Sequence, residues 1–354
     1  MFVIKILHSA DWHLDSPLQL GSEQASQFMR RTLLEIPGKL AEICREKQCD
    51  MVLLSGDLFD GAYTAGTLQV LKNALKEMAV PVFIAPGNHD FASASSPWLR
   101  EVFPDNVHIF TRQAVECIDL PALSCRVYGA GFVGMDCPAL LDGFQGENAM
   151  PYSIGVFHGD PTQVTSSYNP ITAQQVENSG LDYLALGHVH KTGSFQAGKT
   201  LCAWPGCPMG RGYDEQGEKG VLLVTVDETT TAEFLPLNTP RFYDFEVTPE
   251  ALPTRLPPLG SMDYYRVTLV GPSEPLNLES LQAAYSRFPN LVFRDRTVPP
   301  VDVWGSADED TFEGMYFKLL HDALDAADEE SRERIQLAAQ ISRQLLDGQE
   351  VVLP

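Results

Sequence analysis

The sequence predicts an α/β domain over residues 1–240, a smaller α+β domain over 241–305 and a helical segment over 306–354. In the first part, short apolar runs typical of buried strands alternate with segments of helical periodicity. Prolines then cluster over 236–258, which indicates a domain boundary. From residue 308 onward, apolar residues recur with helical spacing and predict two amphipathic helices.

The strands of the first domain are predicted from apolar runs, and the helices from apolar residues that recur every three or four positions. Two long helices are predicted at 24–48, where Pro37 is expected to kink or divide the helix, and at 66–78. The predicted strands are 3–7, 51–54, 82–85, 107–110, 126–130, 152–157, 183–186 and 221–226. This alternation of strand and helix is the basis for the α/β assignment.

The second domain and the tail are assigned in the same way. Strands are predicted at 264–270 and 291–294, with a helix at 278–288 between them that Asn277 can cap. The first tail helix carries a continuous apolar stripe made of Phe312, Met315, Tyr316, Leu319, Leu320, Ala323 and Leu324. Such a stripe packs either on its own domain or on a partner protein, and the sequence leaves both alternatives open.

Polar side chains follow five of the predicted strands at the point where each strand ends. These groups are Asp11-Trp12-His13, Asp57 with Asp60, Gly87-Asn88-His89-Asp90, His158-Gly159-Asp160 and His188-Val189-His190. Five of the eight histidines lie in these groups. Because open α/β sheets bind ligands beyond the carboxyl ends of their strands, we expect one functional site there.

Asp, Asn and neutral His are ligands for hard to borderline divalent metals such as Mn²⁺, Fe²⁺ and Zn²⁺. The chain offers more of them than one ion needs. The carboxylate of Asp57 is suited to bridge two cations about 3.5–4 Å apart, which is the spacing of two-metal hydrolytic sites. A histidine outside the metal shell could then protonate a leaving alkoxide.

The composition argues for some classes of protein and against others. The formal net charge of −22 argues against a protein that holds nucleic acid by itself, since phosphate binding depends on Lys and Arg. Seven cysteines, with no C-x-x-C pair, fit free thiols in a reducing cytoplasm. We expect neither a signal peptide nor a membrane span, because the chain starts with a strand and no apolar run is long enough.

The five motifs occur in the order D-x-H, G-D-x-x-D, G-N-H-D, H-G and G-H-x-H. This ordered set resembles the calcineurin-like metallophosphoesterase superfamily. The resemblance implies a sandwich of two mixed sheets flanked by helices, with the second domain as a cap. It also implies two divalent metal ions, most often Mn²⁺, with Fe²⁺, Zn²⁺ or Mg²⁺ as alternatives.

The resemblance assigns roles to residues. It implies that one metal is held by Asp11, His13, Asp57 and His190. It implies that the other is held by Asp57, Asn88, His158 and His188. It makes His89 the catalytic histidine that acts on the leaving group, with Asp90 orienting its ring.

Within the superfamily, residues 9–14 resemble SbcD-type DNA repair nucleases, and residues 14–17 resemble the related YhaO-type exonucleases. Pro205-Gly206, followed by Glu218-Lys219-Gly220 and a strand, also fits that group. The resemblance implies a 3′→5′ exonuclease with single-strand endonuclease activity. It further implies DNA as the substrate, an SbcC-type coiled-coil ATPase docked on the C-terminal helices, and a homodimer.

Other interpretations stay open at this point. The chain could be a phosphodiesterase or phosphatase for a small nucleotide-like substrate, or a non-enzymatic scaffold for an ATPase. Asp60 could support the site or cap a loop or helix, and Asp15 could cap a helix or belong to the site. Trp12 is expected to pack rather than stack on a base, and His108 is expected to be a strand residue rather than a ligand.

Overall fold

The structure, a computed structural model, describes residues 3–300 and 302–348. The chain forms two compact units. The first runs to Asp244 and includes Ser261–Tyr265, and the second comprises Phe245–Gly260 and the described residues from Arg266 onward. The three-part division into 1–240, 241–305 and 306–354 stays a prediction, and residues 349–354 of its last part lie outside the described residues.

Two six-stranded sheets make up most of the first unit. In chain order, the strands are β1 (Ile4–Ser9), β2 (Met51–Leu54), β3 (Val82–Ile84), β4 (Val107–Ile109), β5 (Glu116–Leu120), β6 (Cys125–Gly129), β7 (Tyr152–His158), β8 (Tyr183–Gly187), β9 (Gly193–Ala197), β10 (Thr200–Trp204), β11 (Gly220–Val226) and β12 (Thr231–Pro236). The helices are α1 (Glu23–Glu46), α2 (Ala65–Met78), α3 (Pro97–Arg100) and α4 (Ala173–Ser179).

Both sheets are mixed. The first has the order β12-β11-β1-β2-β3-β4, in which β1 to β4 are parallel, β11 is antiparallel to β1 and β12 is antiparallel to β11. The second has the order β5-β6-β7-β8-β10-β9, with β6, β7, β8 and β10 parallel. Antiparallel β5 and β9 form its edges.

Strand alternation explains why the sheets pack face to face with helices outside. In β2, Met51 and Leu53 point into a core shared with Ile154 and Tyr183 of the second sheet. The intervening Val52 packs with the outer helices α1 and α2. Because side chains alternate between the two faces of a strand, each fully apolar strand joins two hydrophobic layers. The predicted sandwich of two mixed sheets flanked by helices is confirmed.

Helix α1 is continuous through Pro37, so the proline does not divide it. A proline inside a helix removes one backbone hydrogen bond and clashes with the preceding turn. Here Pro37 is itself buried, and Leu33, Ile36 and Leu40 of the same helix pack in the core beneath it. Burial of this apolar face offsets the local defect.

A third, three-stranded sheet has the order β13-β14-β15. Its strands are β13 (Phe242–Val247), β14 (Tyr264–Pro272) and β15 (Leu291–Val298), and the helices of this region are α5 (Leu278–Ala284), α6 (Phe312–Ala326) and α7 (Glu329–Leu346). Asn277 caps α5 by accepting a hydrogen bond from the Ser280 amide at 2.9 Å. The predicted α+β character of this region is confirmed.

The apolar stripe predicted on α6 is largely exposed. Phe312 is 85% exposed, Met315 56% and Leu319 69%. The buried residues of this helix are instead Gly314 and Phe317, which lie three positions apart on another face. Among the described residues, no helix combines the length and apolar character needed to cross a membrane.

Candidate metal centre

The five polar strand ends meet at one place in the first unit. Strands β1, β2 and β3 are parallel neighbours in one sheet, and β7 and β8 are parallel neighbours in the other. A hydrogen bond between His158 Nδ1 and the Ser55 carbonyl, 2.8 Å long, ties the two sets of strand ends together. The Asp11 carboxylate accepts the His188 amide at 2.9 Å, which adds a second connection.

One group of donor atoms gathers around His13. The ligand atoms of Asp11, His13 and His190 all lie within 4.8 Å of one another. His13 Nε2 lies 3.2 Å from His190 Nε2 and 3.9 Å from Asp57 Oδ2. These four residues are the set that the family resemblance implies for one metal.

A second group gathers around Asn88. Its Oδ1 lies 3.0 Å from His158 Nε2 and 3.2 Å from His188 Nδ1. Asp57 Oδ2 lies 3.4 Å from His158 Nε2, so this one oxygen faces both groups. The other oxygen, Oδ1, accepts the His89 amide at 2.8 Å. The structure therefore brings all seven predicted ligands together, with Asp57 between the two groups.

The backbone around these residues is conformationally unusual. Asp11, His13, Asp57 and His188 all have positive φ, at 55°, 49°, 51° and 96°. Side-chain-bearing residues rarely adopt this region, and each such residue costs about 1–3 kcal/mol. Such strain persists where the surrounding structure imposes it, and it concentrates at functional sites.

Gly87 has no room for a side chain. A Cβ atom there would lie 2.2 Å from Asp57 Oδ1 and 2.9 Å from the Asp57 amide nitrogen. We predict that Gly87→Ala displaces Asp57 and lowers Mn²⁺ affinity by about 10–100-fold, as loss of ligand support does elsewhere. Isothermal titration with Mn²⁺ measures this. Gly134→Ala is the matched control, because nothing lies within 4 Å of that Cβ position, and equal affinities for the two variants would contradict the prediction.

Hydrogen bonds fix the ring tautomers. His158 Nδ1 donates to the Ser55 carbonyl, so Nε2 is the nitrogen that presents a lone pair once the ring is neutral. His13 Nδ1 lies 3.2 Å from Asp60 Oδ1, and His190 Nδ1 lies 2.6 Å from Glu215 Oε1. Because the carboxylates can only accept, both Nδ1 atoms carry hydrogen, and each ring presents its Nε2 lone pair when it is neutral.

This donor set fits divalent cations. His13 Nε2 and His190 Nε2 face one another at 3.2 Å, a separation at which either a shared proton or a cation can occupy the space between the two nitrogens. Mixed Asp, Asn and His donors are suited to borderline and hard metals. Two cations could be held, one by each group, with Asp57 contributing to both.

Electrostatic interactions in the metal-free site favour ionised Asp57 and protonated His158. Burial disfavours the charged imidazole of His158, but the negative charge of Asp57 and the hydrogen bond to it outweigh burial and raise its pKa to about 9. Burial likewise opposes ionisation of Asp57, but the charge of His158 holds its pKa below the usual range. A metal ion must therefore displace a proton from His158.

We predict that Mn²⁺ affinity rises with pH from about pH 6 to about pH 9, because His158 is protonated below its pKa and neutral above it. Competition with one proton changes the apparent affinity by about tenfold per pH unit. Titrations at several pH values, with proton release measured in buffers of different ionisation enthalpy, test this. An affinity that does not change over this range would contradict it.

His89 lies at the edge of the site with 46% of its side chain exposed. Its Nδ1 lies 3.1 Å from Asp60 Oδ1, the oxygen that also contacts His13. Hydrogen bonding to Asp60 raises the pKa of His89 above its ordinary value. Asp90, expected to orient this ring, accepts instead from the backbone amides of Leu58 and Gly87, both at 2.8 Å.

Asp60, rather than Asp90, therefore contacts His89. The physical reason lies in the turn after β3. Asp90 is buried, and its carboxylate holds the turns after β2 and β3 together through backbone N–H groups. Asp60 follows β2 and reaches the site from the neighbouring loop.

Three other residues have structural roles. Trp12 is 1% exposed and donates to Ser9 Oγ, consistent with the expected packing role. Asp15 accepts from the Thr64 amide at 2.8 Å and from Thr67 Oγ1 at 2.7 Å, so it braces the start of α2. His108 lies in β4, with its ring 4.7 Å from that of Phe110.

Sequence reasoning missed two residues beside His190. Glu215 lies against its Nδ1, and Arg211 Nη2 lies 3.0 Å from Glu215 Oε1. Arg211 Nη1 also lies 3.9 Å from Asp60 Oδ1. The sequence feature that could have pointed to them is the turn-rich stretch that follows His190. Its closeness to His190 in the sequence indicates a loop near the site, but the stretch was not assigned to it.

Comparison with known proteins identifies the family. The model of the calcineurin-like phosphoesterases matches residues 4–192, more than half of the chain. The chain belongs to this family. Calcineurin-like phosphoesterases use two divalent metals, and the match covers all seven predicted ligands.

Two curated relatives of this chain come from Bacillus subtilis. The chain is 30% identical to the uncharacterized metallophosphoesterase YhaO over 237 residues, which span 63% of this chain and 57% of YhaO. It is 25% identical to the SbcD component of the nuclease SbcCD over 277 residues, 66% of this chain and 69% of that protein. The matched region thus covers less than two thirds of YhaO.

Among solved structures, a dimetal phosphatase from Danio rerio shares 11% sequence identity with this chain. The alignment covers 66% of this chain and 97% of that one, with a TM-score of 0.44.

Proposed function

We propose that this member of the calcineurin-like phosphoesterase family is a two-metal DNA phosphodiesterase, a 3′→5′ exonuclease with single-strand endonuclease activity that works in DNA repair. The proposal is carried by the two donor groups joined through Asp57, with the half-exposed His89 at their edge. Similarity to the SbcD component of the nuclease SbcCD supports DNA as the substrate.

We assign one metal to Asp11, His13, Asp57 and His190, and the other to Asp57, Asn88, His158 and His188. When bound, two divalent cations supply an activated water and offset the charge on the phosphate oxygens. Mn²⁺ is the proposed metal because it accepts this mixture of carboxylate, amide and imidazole donors. Fe²⁺, Zn²⁺ and Mg²⁺ are the other candidates.

The residues of the chain then have distinct tasks. Ser55, Asp60 and Glu215 each hold a histidine so that its Nε2 faces the centre. His89 donates Nδ1–H to Asp60, which favours the protonated ring, and 46% of its side chain is exposed. We assign His89 the transfer of that proton to the leaving alkoxide, as a general acid.

Single-stranded DNA labelled at its 5′ end tests the proposal. With Mn²⁺, the oligonucleotide should shorten progressively from its 3′ end, and EDTA should stop the reaction. The same oligonucleotide labelled at its 3′ end should release labelled mononucleotide first, whereas 5′→3′ cleavage would reverse the two patterns. Hydrolysis of bis-p-nitrophenyl phosphate with both oligonucleotides intact would favour the small nucleotide-like substrate instead.

We further propose that α6 and α7 dock an SbcC-type coiled-coil ATPase. Phe312, Met315 and Leu319 expose apolar side chains on one helix face, which is typical of a protein-binding surface. The net charge of −22 leaves DNA affinity to be supplied in part by such a partner. The similarity to the SbcD component of SbcCD supports this choice of partner.

The docking face allows a direct prediction. Leu319→Glu should weaken binding of a purified SbcC-type ATPase by at least about tenfold, because a charge would be buried in an apolar contact. Lys318→Ala, at an exposed position off the apolar stripe, should bind as the wild type does. Analytical size exclusion or surface plasmon resonance measures both. Equal affinity of Leu319→Glu and wild type would contradict docking through this face.

A further inference from the structure

The loop between β10 and β11 is built around His190. The His190 carbonyl accepts from the Cys207 amide at 3.4 Å and from the buried Lys219 ammonium at 3.2 Å. Gly206 has φ 76°, and a Cβ there would lie 2.7 Å from the same carbonyl. Residues from both ends of this loop therefore hold the backbone of His190 in place.

Glu215, in the middle of the same loop, holds the ring. Its Oε1 accepts from His190 Nδ1 at 2.6 Å, and its Oε2 accepts from the Arg211 amide at 2.8 Å. The Glu215 side chain is only 8% exposed. Arg211 Nη2, 3.0 Å from Oε1, compensates the charge of this buried carboxylate.

The cluster of His190, Cys207 and Glu215 could be taken for an additional metal site, because its ligand atoms lie within 4.8 Å of one another. Two features argue against that. Glu215 Oε1 is already engaged by His190 and by the Arg211 guanidinium. The ammonium of Lys219 also lies against His190, so a further cation would meet two positive side chains. The arrangement suits support of His190 rather than a separate ion.

We infer that Glu215 is a positioning residue that fixes the Nδ1–H tautomer and ring orientation of His190, so that Nε2 is presented as a metal ligand. The inference rests on the proposed metal-binding role of His190. Carboxylates that accept the second ring N–H of a ligating histidine typically contribute about 10–100-fold to metal affinity. Arg211 extends the support, since it lies between Glu215 and Asp60.

Mn²⁺ titration of the full chain and of three variants tests the role of Glu215. Glu215→Ala should weaken one of the two Mn²⁺ sites by about 10–100-fold and leave the other unchanged. Glu215→Gln should recover much of the loss, because its amide oxygen can still accept Nδ1–H. Glu218→Ala is the matched control, since Glu218 lies in the same loop with 65% of its side chain exposed.

A second readout needs no metal. Nitrogen-15 NMR of histidine-labelled, metal-free protein should show His190 as the Nδ1–H form in wild type and Glu215→Gln, and loss of that form in Glu215→Ala. Wild-type Mn²⁺ affinity at both sites together with an unchanged tautomer in Glu215→Ala would overturn the inference. Neither measurement uses DNA cleavage. If the chain binds Mn²⁺ but does not cut DNA, the proposed function is refuted, and the comparison of wild type with the Glu215 variants still tests the role of Glu215.

Discussion

Replacing His89 with alanine should lower Mn²⁺-dependent DNA cleavage by about 10²–10⁴-fold, the range that general acid catalysis contributes. Both metals should still bind, because His89 is not one of the seven assigned ligands and its backbone amide, which donates to Asp57 Oδ1, survives the substitution. The lost ring packs against that of His13, with centroids 4.7 Å apart, so the Mn²⁺ titration is the necessary check. Single-turnover cleavage of an oligonucleotide, with Mn²⁺ titration beside it, separates the two effects.

His321→Ala is the matched control for this variant. His321 has the same exposed fraction as His89, 46%, but pairs with Asp325 in α6. It should cleave DNA at the wild-type rate. Full activity in His89→Ala would refute the proposed proton transfer, and loss of Mn²⁺ binding in that variant would mean that His89 is a ligand instead.

Replacing Asp57 with asparagine should reduce cleavage to the level of the EDTA-treated protein. Asp57 Oδ2 faces both donor groups, and the substitution keeps the shape of the side chain while removing its charge. A neutral amide cannot bridge two cations as a carboxylate does. Mn²⁺ binding should fall below two ions per chain, as measured by equilibrium dialysis.

Asp182→Asn provides the comparison for that variant. Asp182 accepts from the Ser153 amide at 2.7 Å and from Lys199 at 2.8 Å, at the opposite ends of β7 and β8 from the metal centre. Both Mn²⁺ binding and cleavage should survive this change. Retention of two Mn²⁺ ions and normal cleavage by Asp57→Asn would contradict the bridging role.

The sequence predicts most of the site because the motifs are local. A strand that ends in Asp-x-His or Gly-Asn-His can be read from a few consecutive residues, and parallel neighbours place those ends together. The structure accordingly gathers Asp11, His13, Asp57 and Asn88 beside the histidines of β7 and β8. The two core layers follow from strands that are apolar at every position.

What the sequence does not predict depends on contacts between distant loops. Asp60 and Asp90 are both acidic residues near His89, and only the paths of their turns give Asp60 the contact. Glu215 is 25 residues beyond His190, in a loop whose conformation has no periodic pattern. On α6, the spacing of apolar residues predicts an apolar stripe, but it does not show which helix face packs against the rest of the chain. In the structure Phe317, which lies off that stripe, is buried.

Anomalous diffraction from crystals grown with Mn²⁺ tests the central claim most directly. We expect two peaks in the first unit separated by about 3.5–4 Å, the spacing of two-metal hydrolytic sites. One peak should lie beside His13 and His190 and the other beside His158 and His188, with Asp57 between them. A single peak, or peaks away from these residues, would contradict the two-metal centre on which the proposed function rests.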